Sequence, residues 1–309
     1  MTRRSRSSVI TTAARVADQH LAEALEALHD AQALGPGTLP EARRHIRKVK
    51  VLMRLIDPWL DDGSGAEARR RLRALNRRLA PLADGAAALR TMAHLAARES
   101  ASAALPALTA IRGAVARQAE RNIAGESITR LLQRSETAIA VERARIGTWR
   151  AKEHHRGARQ AALARGLRPA ADEVAAILAR PLDRDHAWRR RMTDLWGRVR
   201  LLEDPRGELH ALRLRLEAIE ASLEEARSVT VLERMLTAER IGSRGDRAAV
   251  LRLLRRYQRE VRARATARGR PALAGLAGRT DRDRIAFGSR RSRRRVVTVR
   301  PRQPAHGAR

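Results

Sequence analysis

Apolar residues recur every three or four positions along most of the chain, which is the period of an amphipathic α-helix. No strand-like alternation of apolar and polar residues appears before the C-terminal segment. In the first half, this pattern predicts helices over 11–34, 38–57, 66–79, 85–98, 102–123 and 127–154. In the second half, it predicts helices over 170–180, 183–203, 208–226, 229–240 and 246–266. The predicted fold class is therefore all-α.

The helical pattern loosens at 157–169, and this stretch is the predicted boundary between two antiparallel helical bundles, residues 1–156 and 168–267. From Arg268 onward the chain is rich in glycine, arginine and serine, so residues 268–309 are predicted to form a disordered basic tail. At the start of the second helix, Thr38 precedes Glu41 by three residues, which is the spacing of a capping box.

A short segment is repeated in the two halves at a constant offset of 146 residues, so that Arg43 matches Arg189 and Arg54 matches Arg200. Two similar all-helical halves predict two bundles related by an approximate two-fold axis. The alternative is a chance similarity between two arginine-rich helices.

The charge balance is far from neutral, with 65 basic against 34 acidic residues and a formal net charge of +31. Lys48, Lys50 and Lys152 are the three lysines, so arginine supplies the excess. Its planar fork binds phosphate through two parallel hydrogen bonds. A GC-rich genome also enriches arginine on solvated helix faces, but it does so at the expense of lysine and requires no such net charge.

Several kinds of site are not supported by the sequence. Without cysteine, neither a disulfide nor a thiolate site can form, and no apolar run is long enough to span a membrane. Phosphate-binding glycine loops and the His-Glu-x-x-His zinc motif are missing, while His154 and His155 are adjacent and point apart on a predicted helix. We therefore expect a soluble, cytoplasmic, non-catalytic protein with no cofactor and no metal ion.

Aromatic residues make up 2 % of the chain, which favours a ligand made of phosphates over one with bases to stack. Duplex-binding proteins that recognise shape also do without aromatic residues, so a nucleic-acid ligand stays open on this observation.

The predicted helix over 38–57 carries a narrow stripe of cations at spacings of four, three and four residues: Arg43, Arg47, Lys50 and Arg54. Beside it runs an apolar stripe that would face the core: Ile46, Val49, Met53 and Ile56. Stacked like charges repel one another, and the helix has no acid of its own beside them. An anion lying along the stripe would explain it, and so would ion pairs with neighbouring helices.

In the second copy, Arg189 and Arg200 keep the basic stripe, whereas Thr193 and Trp196 stand where the first copy has cations. Its predicted core side consists of Trp188, Met192, Leu195 and Val199. His186 lies one residue before this copy, where a lone histidine more often caps a helix than binds a ligand.

The two segments resemble the conserved histidine α-helical domain (CHAD) family, whose signature is His-Glu-x-Arg-Lys followed by further cations at helical spacing. Here Glu41-Ala42-Arg43-Arg44 and His186-Ala187-Trp188-Arg189-Arg190 are similar to its two copies, and Leu79 to Asp84 is similar to its Leu-x-x-Leu-Arg-Asp turn. The resemblance covers about residues 10–266. The chain departs from the family pattern at Pro40, Ala83, Arg227 and Ser228.

The resemblance implies two helical bundles around a basic cleft that binds inorganic polyphosphate, in the cytoplasm and in association with polyphosphate granules. Carried over by position, the phosphate-binding residues would be Arg43, Arg44, Arg47, Lys50, Arg54, His186, Arg189, Arg190 and Arg200. The alternative is an arginine-rich protein that binds the phosphate backbone of nucleic acid, largely through its tail.

Overall fold

The computed structural model describes residues 8–60, 64–99, 104–121, 127–149, 156–179, 187–203, 207–238 and 240–277. Across these residues there is no β-strand, so the prediction of an all-α fold is confirmed. The helices are α1 (Val9–Leu34), α2 (Leu39–Ile56), α3 (Ser64–Arg78), α4 (Ala80–Arg98), α5 (Leu105–Arg121), α6 (Ile128–Ile146), α7 (Arg156–Arg165), α8 (Leu167–Ala179), α9 (Ala187–Leu202), α10 (Glu208–Ala238) and α11 (Arg244–Ala277). None of these described helices is both long enough and apolar enough to cross a bilayer.

The start of α2 differs from the prediction. Thr38 does not cap the helix with its side chain, because its own backbone is already helical (φ −89°, ψ −10°). Its hydroxyl instead donates a hydrogen bond of 2.6 Å to the carbonyl of Ala27 in α1. The capping box predicted from Thr38 and Glu41 was therefore wrong, and Thr38 ties the turn before α2 to the preceding helix.

Two predicted interruptions are helical in the structure. The stretch 157–169 forms α7 and the start of α8, because Leu163 and Leu167 are both buried in the core. The break predicted at 226–229 is likewise absent, because Ala226 and Val229 pack inward from one continuous α10. Burial of these apolar side chains outweighs the local signals for a break.

The last described helix also runs further than predicted. α11 continues to Ala277 although Pro271 lies inside it. Ala272 and Leu273 are 3 % and 5 % exposed, and their burial offsets the hydrogen bond that a proline removes from a helix. The tail predicted from residue 268 was therefore wrong for 268–277. The remainder, 278–309, lies outside the described residues.

The buried apolar residues form three clusters that share helices. The first is built on α1, α2, α3 and α6. The second joins α4 and α5 to the later parts of α10 and the middle of α11. The third joins α8 and α9 to the first part of α10 and the end of α11. The second cluster contains residues from both predicted halves, so the two halves share a core. The predicted bundle boundaries and the predicted two-fold axis remain predictions.

Helices α2 and α9 approach each other closely at Gly197. A Cβ atom added at Gly197 would lie 2.9 Å from both Val51 Cγ1 and Leu55 Cδ1. Such distances are shorter than ordinary contacts, so a larger residue here forces the side chains of Val51 and Leu55, or α2 itself, to shift. This contact sets the spacing between the two helices that carry the repeated basic segments.

We expect Gly197→Leu to lower the free energy of unfolding by about 1–3 kcal/mol, since the new side chain overpacks the contact between α2 and α9. Gly113→Leu is the matched control, because Gly113 is an exposed helical residue whose added Cβ would meet only Arg117. It should be neutral or stabilise by up to about 1 kcal/mol through helix propensity. Urea unfolding measures the free energy of unfolding of both variants. Equal changes in the two variants would show that α2 and α9 are not held at this distance.

Candidate functional site

Helix α2 presents its basic residues on two sides of its buried face. The predicted core stripe is confirmed, since Ile46, Val49, Met53 and Ile56 are each 0 % exposed. Arg43 and Arg47 make ion pairs with α4 and α10 on one side. On the other side, Lys48 lies over the ring of Trp196 in α9, with 4.6 Å between its Nζ atom and the ring centroid.

The first carboxylate on the Arg43 side is Asp84, in α4. Its Oδ1 atom accepts hydrogen bonds of 2.8 Å from Arg43 Nη1 and of 2.8 Å from Arg227 Nη2 in α10. Arg43 Nε also donates to Asn76 Oδ1 at 3.2 Å. Burial raises the pKa of Asp84, but Arg227 and Arg43 outweigh it and hold that pKa below its ordinary value. Asp84 is therefore ionised at neutral pH.

The second carboxylate is Glu224, in α10, which joins the two repeated segments. Its Oε1 atom lies 2.7 Å from Arg47 Nη2 in α2 and 3.1 Å from Arg189 Nε in α9. Burial again raises the pKa of Glu224, and the surrounding arginines, Arg47 first, lower it below the ordinary value. Arg47 and Arg189, which the family resemblance assigns to phosphate binding from different halves of the chain, thus meet on one carboxylate.

We call Arg43, Arg47, Arg189 and Arg227 the guanidinium cluster. These four cations share two carboxylates, Asp84 and Glu224, so the cluster has a formal excess of positive charge. Several of its N–H groups are buried and make no hydrogen bond: the Nε groups of Arg47 and Arg227, and both Nε and Nη2 of Arg189. Arg189 Nε is near Glu224 Oε1 as an ion pair, but the two do not form a hydrogen bond. An unmade hydrogen bond of a buried charged group is costly, so these donors favour an additional anionic acceptor.

Burial has a measurable electrostatic consequence at Arg189. Desolvation, together with the nearby positive charges of Arg47, Arg227 and Arg43, outweighs the attraction of Glu224 and lowers the pKa of Arg189 to about 9. The side chain still carries its charge at pH 7. Desolvation is the largest cause of this shift, and the repulsion from the three neighbouring arginines adds to it.

Lys50 and Arg73 extend the positive charge beyond the cluster. Within the part of the chain that the structure describes, no carboxylate pairs with Lys50. Burial and the charges of Arg73, Arg47 and Arg43 lower the pKa of Lys50 to about 8. Arg73 is an exposed residue of α3. In the part of the chain that the structure describes, neither Lys50 nor Arg73 gives up an ion pair when it meets a ligand.

The remaining predicted site residues do not join the cluster. Arg54 forms an ion pair with Asp194 in α9, and Arg200 forms one with Glu203. Arg190 is exposed. Arg44 lies on the other side of α2, where its charge acts on His20 and His45. His186 lies outside the described residues.

The second copy of the repeat does not repeat the stripe of the first. Thr193 and Trp196 are 3 % and 1 % exposed and belong to the interior. Thr193 Oγ1 donates to the carbonyl of Arg189, and Trp196 Nε1 donates to Glu217 Oε1 at 3.1 Å. The predicted core residues Met192, Leu195 and Val199 are buried, and Trp188 packs against them partly buried.

Sequence reasoning missed the residues that α10 contributes. Glu224 and Arg227 are three residues apart and so lie on the same face of that helix. A break predicted at 226–229 separated them, and Arg227 was noted only as a departure from a family pattern. Had α10 been predicted as one helix, this acid and base at helical spacing would have been a visible signal.

The chemistry available at the cluster is anion binding. Its donors are guanidinium groups, which suit planar or tetrahedral oxyanions. Both carboxylates have lowered pKa values and are therefore poor proton donors at neutral pH. The cluster itself contains neither a hydroxyl nor a thiol nucleophile.

The fold and the cluster together define a class: an all-α protein with an arginine-rich junction between packed helices. Among solved structures, the chain is similar to PptA from Streptomyces chartreusis, with a TM-score of 0.51 and 18 % sequence identity. The match covers 86 % of this chain and 99 % of PptA, and at this identity it supports the fold alone. No protein-family model matches the chain, and no curated protein does.

We expect Glu224→Gln to lower the free energy of unfolding by about 3 kcal/mol at pH 7, because it leaves two buried guanidinium groups without their shared counter-charge. A carboxylate whose pKa is lowered by folding stabilises the protein above its unfolded pKa, near 4.5, and this stability is lost as the pH falls through the folded pKa. The loss of stability in Glu224→Gln relative to wild type should therefore be complete above pH 4.5 and become smaller as the pH falls below it.

The control is Glu67→Gln, since Glu67 is 61 % exposed and pairs with Arg71 along one helix. It should cost less than about 1 kcal/mol. Denaturant unfolding across pH measures both variants. A Glu224→Gln deficit as small as that of the control would show that the cluster does not depend on this carboxylate.

Proposed function

We propose that this protein binds a phosphate-rich polyanion, inorganic polyphosphate in the first place, at the guanidinium cluster and without catalysis. The observation that carries the proposal is the sharing of two carboxylates among four arginines whose side chains are only 9–14 % exposed. Phosphate oxygens accept hydrogen bonds from guanidinium groups at least as well as carboxylates do. A phosphate group can therefore satisfy the donors that Asp84 and Glu224 leave unpaired.

Lys50 and Arg73 give the site length as well as charge. Lys50 lies within the electrostatic reach of Arg43 and Arg47 of α2 and of Arg73 of α3, so the positive charge continues from α2 toward α3. A linear polyanion can place successive charges along this row of cations, whereas a single phosphate would contact one end of it. The row of cations therefore favours a chain of phosphates as the ligand.

The resemblance to the CHAD family supports the same ligand. Arg43, Arg47, Lys50 and Arg189 stand at positions carried over from its signature, and they are the ones found in or beside the cluster. Arg227 stands where the family pattern differs, and in this chain it completes the pairing of Asp84. The similarity to PptA supports the fold in which these residues meet.

Burial favours polyphosphate over the alternative ligand, duplex nucleic acid. The side chains of Arg43 and Arg189 are 9 % and 14 % exposed, so an anion must enter between helices to reach them. A single flexible phosphate chain can do so, whereas phosphates on a stiff duplex are held at its surface. Binding of nucleic acid through the basic residues of 278–309 would not involve the cluster.

We expect the double variant Lys50→Glu/Arg73→Glu to weaken polyphosphate binding at physiological salt by at least about 100-fold. Each charge-assisted contact contributes about 1.5–3 kcal/mol, and two contacts are replaced by repulsion. The fold should survive, because neither cation has a carboxylate partner in the described structure and new acids would sit beside Arg43 and Arg47. Fluorescence titration with polyphosphate of defined length measures the affinity.

The matched control is Arg112→Glu/Arg252→Glu, which changes the net charge equally at exposed positions on α5 and α11. It should lose much less affinity, through long-range attraction alone. Two further arms use a chain ending at Ala277 and a mixed-sequence DNA duplex as competitor. Equal losses in both double variants, loss of binding on truncation, or displacement of polyphosphate by duplex at equal phosphate concentration would each overturn the proposal.

A further inference from the structure

Three side chains with metal-binding atoms converge between α1 and α2, on the opposite side of α2 from the guanidinium cluster. His20 and Glu23 are three residues apart on α1, and His45 faces them from α2. His20 Nδ1 lies 2.6 Å from Glu23 Oε2 and 3.0 Å from His45 Nδ1. His45 Nδ1 lies 2.8 Å from the same oxygen of Glu23.

While Glu23 is ionised, hydrogen bonding alone does not satisfy all three atoms of this triangle. If both Nδ1 atoms carry a proton, both can donate to the ionised carboxylate, but then two N–H groups face each other across 3.0 Å. If one Nδ1 lacks its proton, its lone pair faces a carboxylate oxygen at 2.6 or 2.8 Å. Each arrangement leaves one repulsive contact. A cation among the three atoms turns all three into favourable partners.

We propose that His20, Glu23 and His45 form a binding site for a divalent transition-metal ion of the zinc class. Two imidazole nitrogens with one carboxylate oxygen suit such ions better than Mg²⁺ or Ca²⁺, which prefer oxygen ligands throughout. The ion would take Nδ1 of each histidine and Oε2 of Glu23, with a fourth position left for water. Glu23 is 34 % exposed and forms the open side of the site.

The spacing of the three atoms is close to that of a metal site. Tetrahedral coordination with bonds of about 2.1 Å places ligand atoms about 3.4 Å apart, which is about 0.4–0.8 Å more than the 3.0, 2.8 and 2.6 Å between them here. Small side-chain rotations can supply that difference. The histidines are held in place meanwhile, since the ring of His20 packs against that of His45 and against Trp196, at centroid distances of 5.2 and 5.3 Å.

Neighbouring cations do not prevent a metal ion from binding, because most have their own counter-charges. Lys48 Nζ lies 3.7 Å from Glu217 and 3.6 Å from Glu220. Arg200 is paired with Glu203. Arg44 is the remaining nearby cation, and its charge acts on both histidines. A metal ion would therefore meet one repelling cation and, directly beside it, the carboxylate of Glu23.

A metal ion here would link α1 to α2 and so fix the helix that presents Arg43, Arg47 and Lys50 on its other side. Because binding to the folded state stabilises it, Zn²⁺ should raise the melting temperature of the full chain. This inference stands independently of polyphosphate binding, and Zn²⁺ alone is the probe that tests it.

The test is calorimetric titration of the chelator-treated full chain with Zn²⁺, alongside Co²⁺ absorption spectra. We expect one saturable site and the visible bands of four-coordinate Co²⁺. Glu23→Gln and His45→Gln should each weaken Zn²⁺ binding by more than about 100-fold, since even outer-shell changes at metal sites cost about 10–100-fold. The control His29→Gln should bind as wild type, because His29 is 65 % exposed and lies apart from the triad.

Glu23→Gln keeps the proposal testable if His45→Gln fails to fold, since Glu23 is the most exposed of the three. Wild-type binding in a folded Glu23→Gln variant would overturn the site, because the ion would then be held elsewhere. The absence of a saturable Zn²⁺ site in the wild-type chain would overturn it as well.

Discussion

The sharing of one carboxylate by two arginines is the constraint on which the rest of the structure depends. Glu224 of α10 lies between Arg47 of α2 and Arg189 of α9, so three helices must meet where its side chain ends. Burying charges is costly unless they are paired, and here four guanidinium groups have two carboxylates between them. Stability alone does not explain this excess of buried cations, since apolar residues could fill the same space.

Packing holds this costly arrangement in place. Gly197 lets α9 lie against Val51 and Leu55 of α2, which fixes how far apart Arg47 and Arg189 can be. Helix α10 contributes apolar residues to the second and third clusters and polar residues to the junction. The burial of apolar surface thus offsets the repulsion among the arginines, and an anionic ligand would relieve that repulsion further.

The local period of the sequence was enough to predict which side of α2 faces the core, because burial of Ile46, Val49 and Met53 follows directly from helical geometry. The partners of its cations could not be predicted this way. Asp84 and Glu224 lie 41 and 177 residues from the arginines they bind, and the helical period carries no information about such pairs. For the same reason, His20 and His45 gave no sign of meeting.

Where local signals failed, tertiary contacts decided the outcome. Pro271 predicts a helix end, but Leu273 gains more from burial than the missing hydrogen bond costs. Thr38 and Glu41 have the spacing of a capping box, but the hydroxyl of Thr38 donates its hydrogen bond to the carbonyl of Ala27. In the second basic segment, Trp196 stands at the position that matches Lys50 of the first segment, and its side chain is buried in the core. The two copies therefore cannot contribute equally to the junction.

The most direct test of phosphate binding at the guanidinium cluster is the melting temperature of wild type and Glu224→Gln at rising polyphosphate concentration. A ligand that binds the folded state raises stability with its concentration, and more so where its affinity is higher. Removing the internal carboxylate should free Arg47 and Arg189 for phosphate. The predicted result is that polyphosphate raises the melting temperature of Glu224→Gln more than that of wild type. The difference between the two melting temperatures, which we call the gap, should therefore become smaller as polyphosphate is added. A gap that stays constant at every concentration would contradict binding at this cluster.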